Sequence, residues 1–319
     1  MDKKSLYGLL LIFALVMAWM MWQSSTYKAP LDEKISADTS KTVKKTAEIK
    51  PDNSTGEKFS DSTVSVRKFG VAFSNFTKGE EKFLTIETDN YIAQISNKGS
   101  AIKKWTLKKY KKWDKSPAQL IWSKKGELFI SFVTIDGVLI DSRDLFFSFD
   151  NLNTDYIKIS GNDKFTLKSM LEIEPGKFIQ KTTSFSANDY ILDQNITLQN
   201  MESFIPARGY NLNWAEGIRY QEHNSVDESN DAHAIISAND LIEEVNADKV
   251  EPVEKTVTGD ITYLAIKTKY FGTAIMPQGK FKGEVQVKGT HIIAKNKGII
   301  EKYYATMNIP YNGGNISND

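Results

Sequence analysis

A mainly β fold, antiparallel strands packed as a sandwich behind one N-terminal transmembrane helix, is what this sequence predicts, and three observations carry it. Past Phe83, turn signals recur about every ten residues. Between them run short stretches rich in β-branched and aromatic residues, alternating apolar with polar positions. Ahead of them lies one uncharged apolar run, from Leu6 to Trp22.

That run makes the first element. A helix over it covers about 25 Å, near the lower limit for a bilayer span, and a few flanking residues complete it. Leu6 and Phe13 lie within the span, and Trp19 and Trp22 fall at the far interface, where amphipathic rings collect. Lys3 and Lys4 precede it and set the topology: the lysine pair stays in the cytoplasm and the rest of the chain is exported. A cleaved signal peptide is the competing reading, with small residues at Ser24 and Ser25. The run is longer than a signal core, however, and no A-x-A-like site follows. Residues 1–25 are therefore read as an uncleaved signal anchor.

Residues 26–82 are rich in Lys, Ser, Thr, Asp and Glu and poor in large apolar side chains. Burial in such a stretch cannot offset its ordering entropy, which predicts a flexible polar tether. Within it "FGVAFSNF", Phe69 to Phe76, is more apolar and is read as a loosely held linker, contact with the domain or a partner being the alternative.

Residues 83–310 form the predicted β domain. "LTIET" leads through Asp89-Asn90 into "YIAQIS", and Asn97-Lys98-Gly99 turns the chain into "AIKKWTL". Asp136-Gly137 between "ISFVTI" and "VLID" is the strongest hairpin signal. Gly161-Asn162-Asp163 separates "YIKIS" from "FTLKSML", and Ala187-Asn188-Asp189 separates "FIQKTTSFS" from "YILDQNITLQN". "SANDLIEEV", Ser237 to Val245, reads as one or two helical turns. "ITYLAIKTKYFGTAIMP", Ile261 to Pro277, reads as a strand buried on both faces or nearly so until Lys267 and Lys269 break it. Those two charges also exclude a second membrane span there.

Composition removes several function classes. The 319 residues carry 41 basic and 40 acidic side chains, net +1, so no global field recruits nucleic acid. Without cysteine there is no disulfide, thiolate metal site, thiol nucleophile or lipidated cysteine. His223 and His233 sit among Glu222, Asp227, Glu228 and Asp231 without ligand spacing, so a solvated acidic loop is expected and no metal. His291 reads as a strand-end histidine. No G-x-S-x-G or phosphate-cradling glycine loop occurs, and Glu172/Glu174 and Glu243/Glu244 read as solvated surface. No catalytic residue and no cofactor are expected. Lys103 to Lys115, interleaved with Trp105, Tyr110 and Trp113, is the densest basic patch; it fits anionic headgroups or, equally, a charged edge strand.

The order of these features resembles the YidC-type (YidC/Oxa1/Alb3) membrane protein insertases. "MDKKSLYGLLLIFALVMAWMMW" is similar to that family's first transmembrane segment, and "TIETDNYIAQISNKGSAIKKWTLKKY" to the opening strands of its periplasmic domain. "SFSANDYILDQNITLQN" resembles its central hairpin, and "YNLNWAEGIRYQEHNSVDE" the strand and loop beyond it. In "ITYLAIKTKYFGTAIMP" the family pattern falls on Tyr263, on the pair Tyr270-Phe271 and on the closing Met276-Pro277. The tether and domain look most like the Bacteroidetes and Chlorobi branch.

The resemblance implies a galactose mutarotase-like antiparallel β-supersandwich and an insertase or chaperone without covalent chemistry. It further implies the inner membrane as location and, as partners, the Sec translocon, nascent inner-membrane proteins and the lipid bilayer, with no nucleic acid. Residues 311–319 are expected to begin the connector to the family's transmembrane core. No second run of spanning length follows Trp22, so that core is expected to be missing from this chain. The mutarotase kinship supplies an alternative, a membrane-tethered carbohydrate-binding domain. Mutarotases need a histidine and a glutamate converging in a cleft, and the sequence offers no such pair.

Overall fold

Turn chemistry decides where the chain reverses, and alternation decides which face each strand buries. The computed structural model describes residues 61–150, 152–206, 209–294, 298–311, 313 and 315–318. The signal-anchor residues Lys3, Lys4, Leu6, Phe13, Trp19 and Trp22, and the tether to residue 60, lie outside the described residues. Among those described, no helix is long and apolar enough to cross a membrane.

Among the described residues, three sheets share one continuous core. The first comprises β1 (Phe83–Glu87), β2 (Tyr91–Ser96), β3 (Ala101–Lys111), β4 (Pro117–Gln119) and β8 (Tyr156–Lys158), in the order β4-β3-β2-β1-β8. The second comprises β7 (Ser148–Phe149), β9 (Lys164–Glu174), β10 (Lys177–Ser186), β11 (Leu192–Gln199) and β19 (Asn315–Asn318), ordered β19-β11-β10-β9-β7. The third and largest includes β5 (Phe129–Val133), β6 (Leu139–Asp141), β12 (Tyr210–Trp214), β13 (His233–Ala238) and β14 (Leu241–Val245). It is completed by β15 (Val253–Lys267), β16 (Gly272–Ile275), β17 (Phe281–Ile293) and β18 (Ile299–Ile309). Its order is β14-β13-β15-β17-β18-β12-β5-β6, with β16 on β15. The mainly β, antiparallel expectation therefore holds, with one exception: β8 runs parallel to β1.

The hairpins expected at Asp89-Asn90, Asp136-Gly137 and Ala187-Asn188-Asp189 form as β1–β2, β5–β6 and β10–β11. Gly137 holds φ 79°, its N–H donates to the Thr134 carbonyl at 2.9 Å, and the Thr134 hydroxyl accepts from Val138 at 3.0 Å. Gly161-Asn162-Asp163 makes no hairpin. It carries the chain from the first sheet to the second, held by the Gly161 N–H donating to Asp89 at 2.7 Å.

Three sequence readings are corrected. "SANDLIEEV" is not helical but a tight hairpin, β13–β14, with Ala238 opposite Leu241. Asn239 and Asp240 both hold positive φ, 53° and 61°, which a right-handed helix cannot accommodate and a two-residue hairpin turn requires. The Asn239 side chain pins the turn to β15, donating to Thr258 and accepting from Asp260. Gly259, φ 145°, leaves room for it: a Cβ there would lie 2.0 Å from Asn239 Oδ1.

Next, Ile261–Lys267 is not buried on both faces. Ser237 pairs with Tyr263 but Ala238 with Ile261, so Thr262 is the extra residue of a bulge. The inward set switches there from Ile261 to Leu264 and Ile266, leaving Tyr263 and Ala265 half-buried.

Finally, the stretch from 61 to 82 is more than tether. Helix α1 (Asp61–Ser74), kinked at Gly70 (φ 73°), sends Phe69 and Phe73 into the core, where Phe73 is 1% exposed. Its ring meets Phe132 at 5.4 Å and Phe204 at 6.0 Å. Composition over sixty residues averages this short apolar face away.

The three sheets meet at Lys181. This side chain on β10 is buried, and its ammonium donates to the carbonyls of Gly99 (3.5 Å), Ser100 (2.8 Å) and Leu128 (2.9 Å). Gly99 and Ser100 turn β2 into β3, and Leu128 leads into β5. Burial pushes the ammonium down to about 7, while three carbonyls that need three N–H donors pull the other way.

Candidate functional site

β3 places its apolar residues on one face: Ile102, Trp105 and Leu107 point inward while Lys104 and Lys108 point out. That inner face, with Leu212 and Trp214 of β12 and Met307 of β18, floors a cleft of ≈ 910 Å³. The Trp214 indole N–H donates to the Gly217 carbonyl at 2.8 Å, so its one polar atom is satisfied within the domain. β11 contributes one wall through Leu192, Asp193 and Gln194; β16 and the following Met276-Pro277 contribute the other. Gln278 reaches toward Asp193 across the gap, Nε2 to Oδ1 3.5 Å.

Aromatic rings cluster at the mouth of this cleft and behind its floor. Tyr91 and Trp105 stack at 4.0 Å, Tyr91 meets Tyr190 at 6.4 Å, and Tyr110 meets Tyr190 at 6.5 Å and Phe271 edge-on at 5.7 Å. Tyr110, Tyr190, Ile191, Tyr270 and Met276 are exposed at the mouth. Among the lining residues only Asp193 and Lys280 carry charge, and no histidine lines it. The lining is mostly apolar with aromatic rings at its lip, and no histidine and carboxylate converge among the lining residues.

Of the residues marked by the family pattern, Tyr270, Phe271 and Pro277 line this cleft and Tyr263 does not. The Tyr270 hydroxyl donates to Glu222, which raises the phenol's pKa. Tyr263 sits behind, half-buried beside the bulge in β15.

The other sequence candidates scatter. β3 lies between β2 and β4, so the lysine-rich segment is no edge strand. Three of its seven lysines are ion-paired: Lys103 with Glu81 (2.9 Å), Lys108 with Glu87 (3.1 Å), Lys112 with Asp114 (2.8 Å). Trp105 is buried and Trp113 packs edge-on against His223 at 4.6 Å. Glu172 and Glu174 are exposed on one face of β9, and Glu174 pairs with Lys177. No group of side chains that could hold a metal ion occurs among the described residues. His291 is part of β17 and nearly buried, Nδ1 3.0 Å from the Ala247 carbonyl and 3.8 Å from Glu301. The histidine and glutamate absent from the sequence reading thus meet in space, but outside the cleft.

Sequence reasoning missed Tyr190-Ile191 and the β11 wall. A signal existed: two large apolar residues directly after the Asn188-Asp189 turn, where a hairpin loop ordinarily turns polar.

Residues 83–315 match the family described as the YidC periplasmic domain. Over 322 residues the chain is 30% identical to the membrane protein insertase YidC of Chlorobaculum tepidum, covering 100% of this chain and 53% of that protein. Its counterpart in Chlorobaculum parvum is 27% identical over 321 residues, 99% of this chain and 52% of the relative. That in Pelodictyon phaeoclathratiforme is 29% identical over 286 residues, 89% and 47% respectively. The chain spans about half the length of these curated relatives. Among solved structures, a galactose mutarotase related enzyme from Lactobacillus acidophilus matches with TM-score 0.39 and 11% identity, over 74% of this chain and 95% of that one. A galactose mutarotase-like protein from Lactobacillus casei matches with TM-score 0.36 and 11% identity, over 74% and 94%.

Proposed function

The chain belongs to the family of the YidC periplasmic domain, and on that premise we propose that it is the N-terminal, periplasm-facing part of a membrane protein insertase. It is held in the inner membrane by Leu6 to Trp22 and acts by contact, without covalent chemistry or cofactor. Its partners are nascent inner-membrane proteins, the bilayer and components of the Sec translocon; nucleic acid is not among them. The observation that supports this reading is the cleft. Its floor is apolar, its lip is aromatic, and it is open to an extended segment of a membrane protein that has left water but not yet entered lipid. Tyr270, Phe271 and Pro277 flank β16 on one wall, and β16 pairs with Leu264–Lys267 of β15, just past Tyr263.

The chain has no cysteine, so a single introduced thiol reports one position. With a thiol-reactive photoprobe on Ile191→Cys, at the cleft mouth, a nascent inner-membrane protein should be captured in native membranes. A probe on Ile293→Cys, exposed on β17 and absent from the cleft lining, should capture several-fold less. Equal capture from both, or none from Ile191→Cys, contradicts the reading.

A further inference from the structure

We propose that the cleft is a strand-insertion site, in which an extended polypeptide segment lies between β11 and β16 and hydrogen-bonds through its backbone to both. The proposal rests on the reading of the cleft given above and adds the form in which the segment is held. Its first support is the way each strand lines the cavity. Floor strands meet it face-on and contribute alternate residues, Leu212 and Trp214 from β12, Met307 and Ile309 from β18. The walls contribute unbroken runs, Leu192-Asp193-Gln194 from β11 and Gly272 to Ile275 from β16. Successive side chains leave a strand on opposite faces, so a run of them lines a cavity that the strand meets edge-on. Both walls therefore present backbone.

Those edges are open. Among the described residues β16 pairs only with β15. β11 pairs with β10 along its whole length, but β19 covers it only from Ile196 to Gln199, which leaves Leu192 to Gln194 with a strand on one side. Register identifies the outward groups of β16. The Thr268 N–H donates to the Phe271 carbonyl at 2.8 Å, and alternation along the ladder then makes Ile266–Thr273 and Leu264–Ile275 the hydrogen-bonded pairs. Gly272 and Ala274 fall between these pairs, so their N–H and C=O groups turn away from β15; both residues are exposed. Donors and acceptors alternating at the repeat of a strand are matched by another polypeptide backbone. An entering segment displaces the Gln278–Asp193 contact, which at 3.5 Å is too long to hold the gap shut. Every second side chain of the segment then rests on the apolar floor, which selects alternating apolar and polar residues and leaves their identity otherwise free.

The test puts the change in the ligand, so that folding of a variant does not decide it. A short fluorescent peptide of alternating valine and threonine between terminal lysines is titrated into the full chain in phosphatidylcholine nanodiscs, with empty nanodiscs as the baseline. Two further peptides carry backbone N-methyl groups on the odd or on the even residues. In an inserted strand each set points at one of the two edges, so each should weaken binding by about tenfold or more. Ala274→Pro removes an outward N–H and spares the ladder to β15; it should weaken the unmethylated peptide by about fivefold or more. Methylated peptides that bind as tightly as the unmethylated one, and still compete with photo-capture from Ile191→Cys, overturn strand insertion and leave the cleft as a receiver of apolar segments. An unmethylated peptide that binds no better than to empty nanodiscs also overturns it, while nascent-chain capture from Ile191→Cys reports separately on the cleft. Absence of that capture overturns both.

Discussion

Lys181 donates to the Ser100 carbonyl at 2.8 Å, and this one contact joins the second sheet to the turn that opens β3 of the first. The same ammonium reaches Leu128 of the large sheet, so a single buried cation ties all three together beneath the cleft wall. Replacing it with methionine keeps the bulk but leaves buried carbonyls without a donor. Lys181→Met should lower the unfolding free energy by about 2–4 kcal/mol, read from urea denaturation near pH 10, where the side chain's contribution is largest.

Lys181 also sets a pH dependence. Burial lowers the folded ammonium from 10.5 to about 7, so the unfolded chain binds the extra proton between those values. Its contribution is most favourable above the unfolded value and is lost as pH falls toward 7. Stability should therefore rise from pH 7 to pH 10 in the parent, and the rise should flatten in Lys181→Met. An unchanged slope in the variant would assign the effect elsewhere.

Glu127 acts in the opposite sense. Burial pushes its carboxyl up to about 8, although the Ala215 and Glu216 N–H groups donate to it. A raised carboxyl contributes stability that is full below its unfolded value, near 4.5, and is lost as pH rises toward 8. Glu127→Gln should reduce the decline of the urea midpoint between pH 4.5 and 8.

Phe73 tests where the folded unit begins. Removing its ring from the contact with Phe132 and Phe204 should lower stability by about 3–4 kcal/mol in Phe73→Ala. A chain starting at Phe83 should unfold at a lower urea concentration than one starting at Asp61. Identical midpoints would return residues 61–82 to the tether.

Much of this was legible in the sequence, and the failures have physical causes. The hairpin at Asp136-Gly137 was readable because αL turn residues act locally. Asn239-Asp240 carries the same chemistry, yet its exposed flanking pair Leu241-Ile242 and Glu243-Glu244 mimic a helical pattern. Gly161-Asn162-Asp163 signalled a turn correctly but could not say that the strands on either side belong to different sheets. Pairing across sheets is a tertiary outcome, as is the burial of Lys181, which reads as an ordinary surface residue. Tyr270, Phe271 and Pro277 were found through the family pattern, whereas Tyr190 and Ile191 join them only once β11 faces β16.

Sugar isomerisation is not expected of this cleft, because no histidine lines it and His291 and Glu301 meet elsewhere. Calorimetric titration with hexoses and peptidoglycan sugars checks the separate expectation that free sugars do not bind tightly. Micromolar binding abolished in Trp214→Ala would favour the sugar reading instead.

The central claim, that the cleft receives apolar segments of membrane proteins, is tested most directly by filling it. Ala274 lines the β16 wall with its side chain exposed, so Ala274→Trp narrows the opening without entering the core. Photo-capture of a nascent inner-membrane protein from the Ile191→Cys position should fall at least fivefold in that background, with the thermal unfolding profile unchanged. Capture at the parent level through a filled cleft would contradict the account.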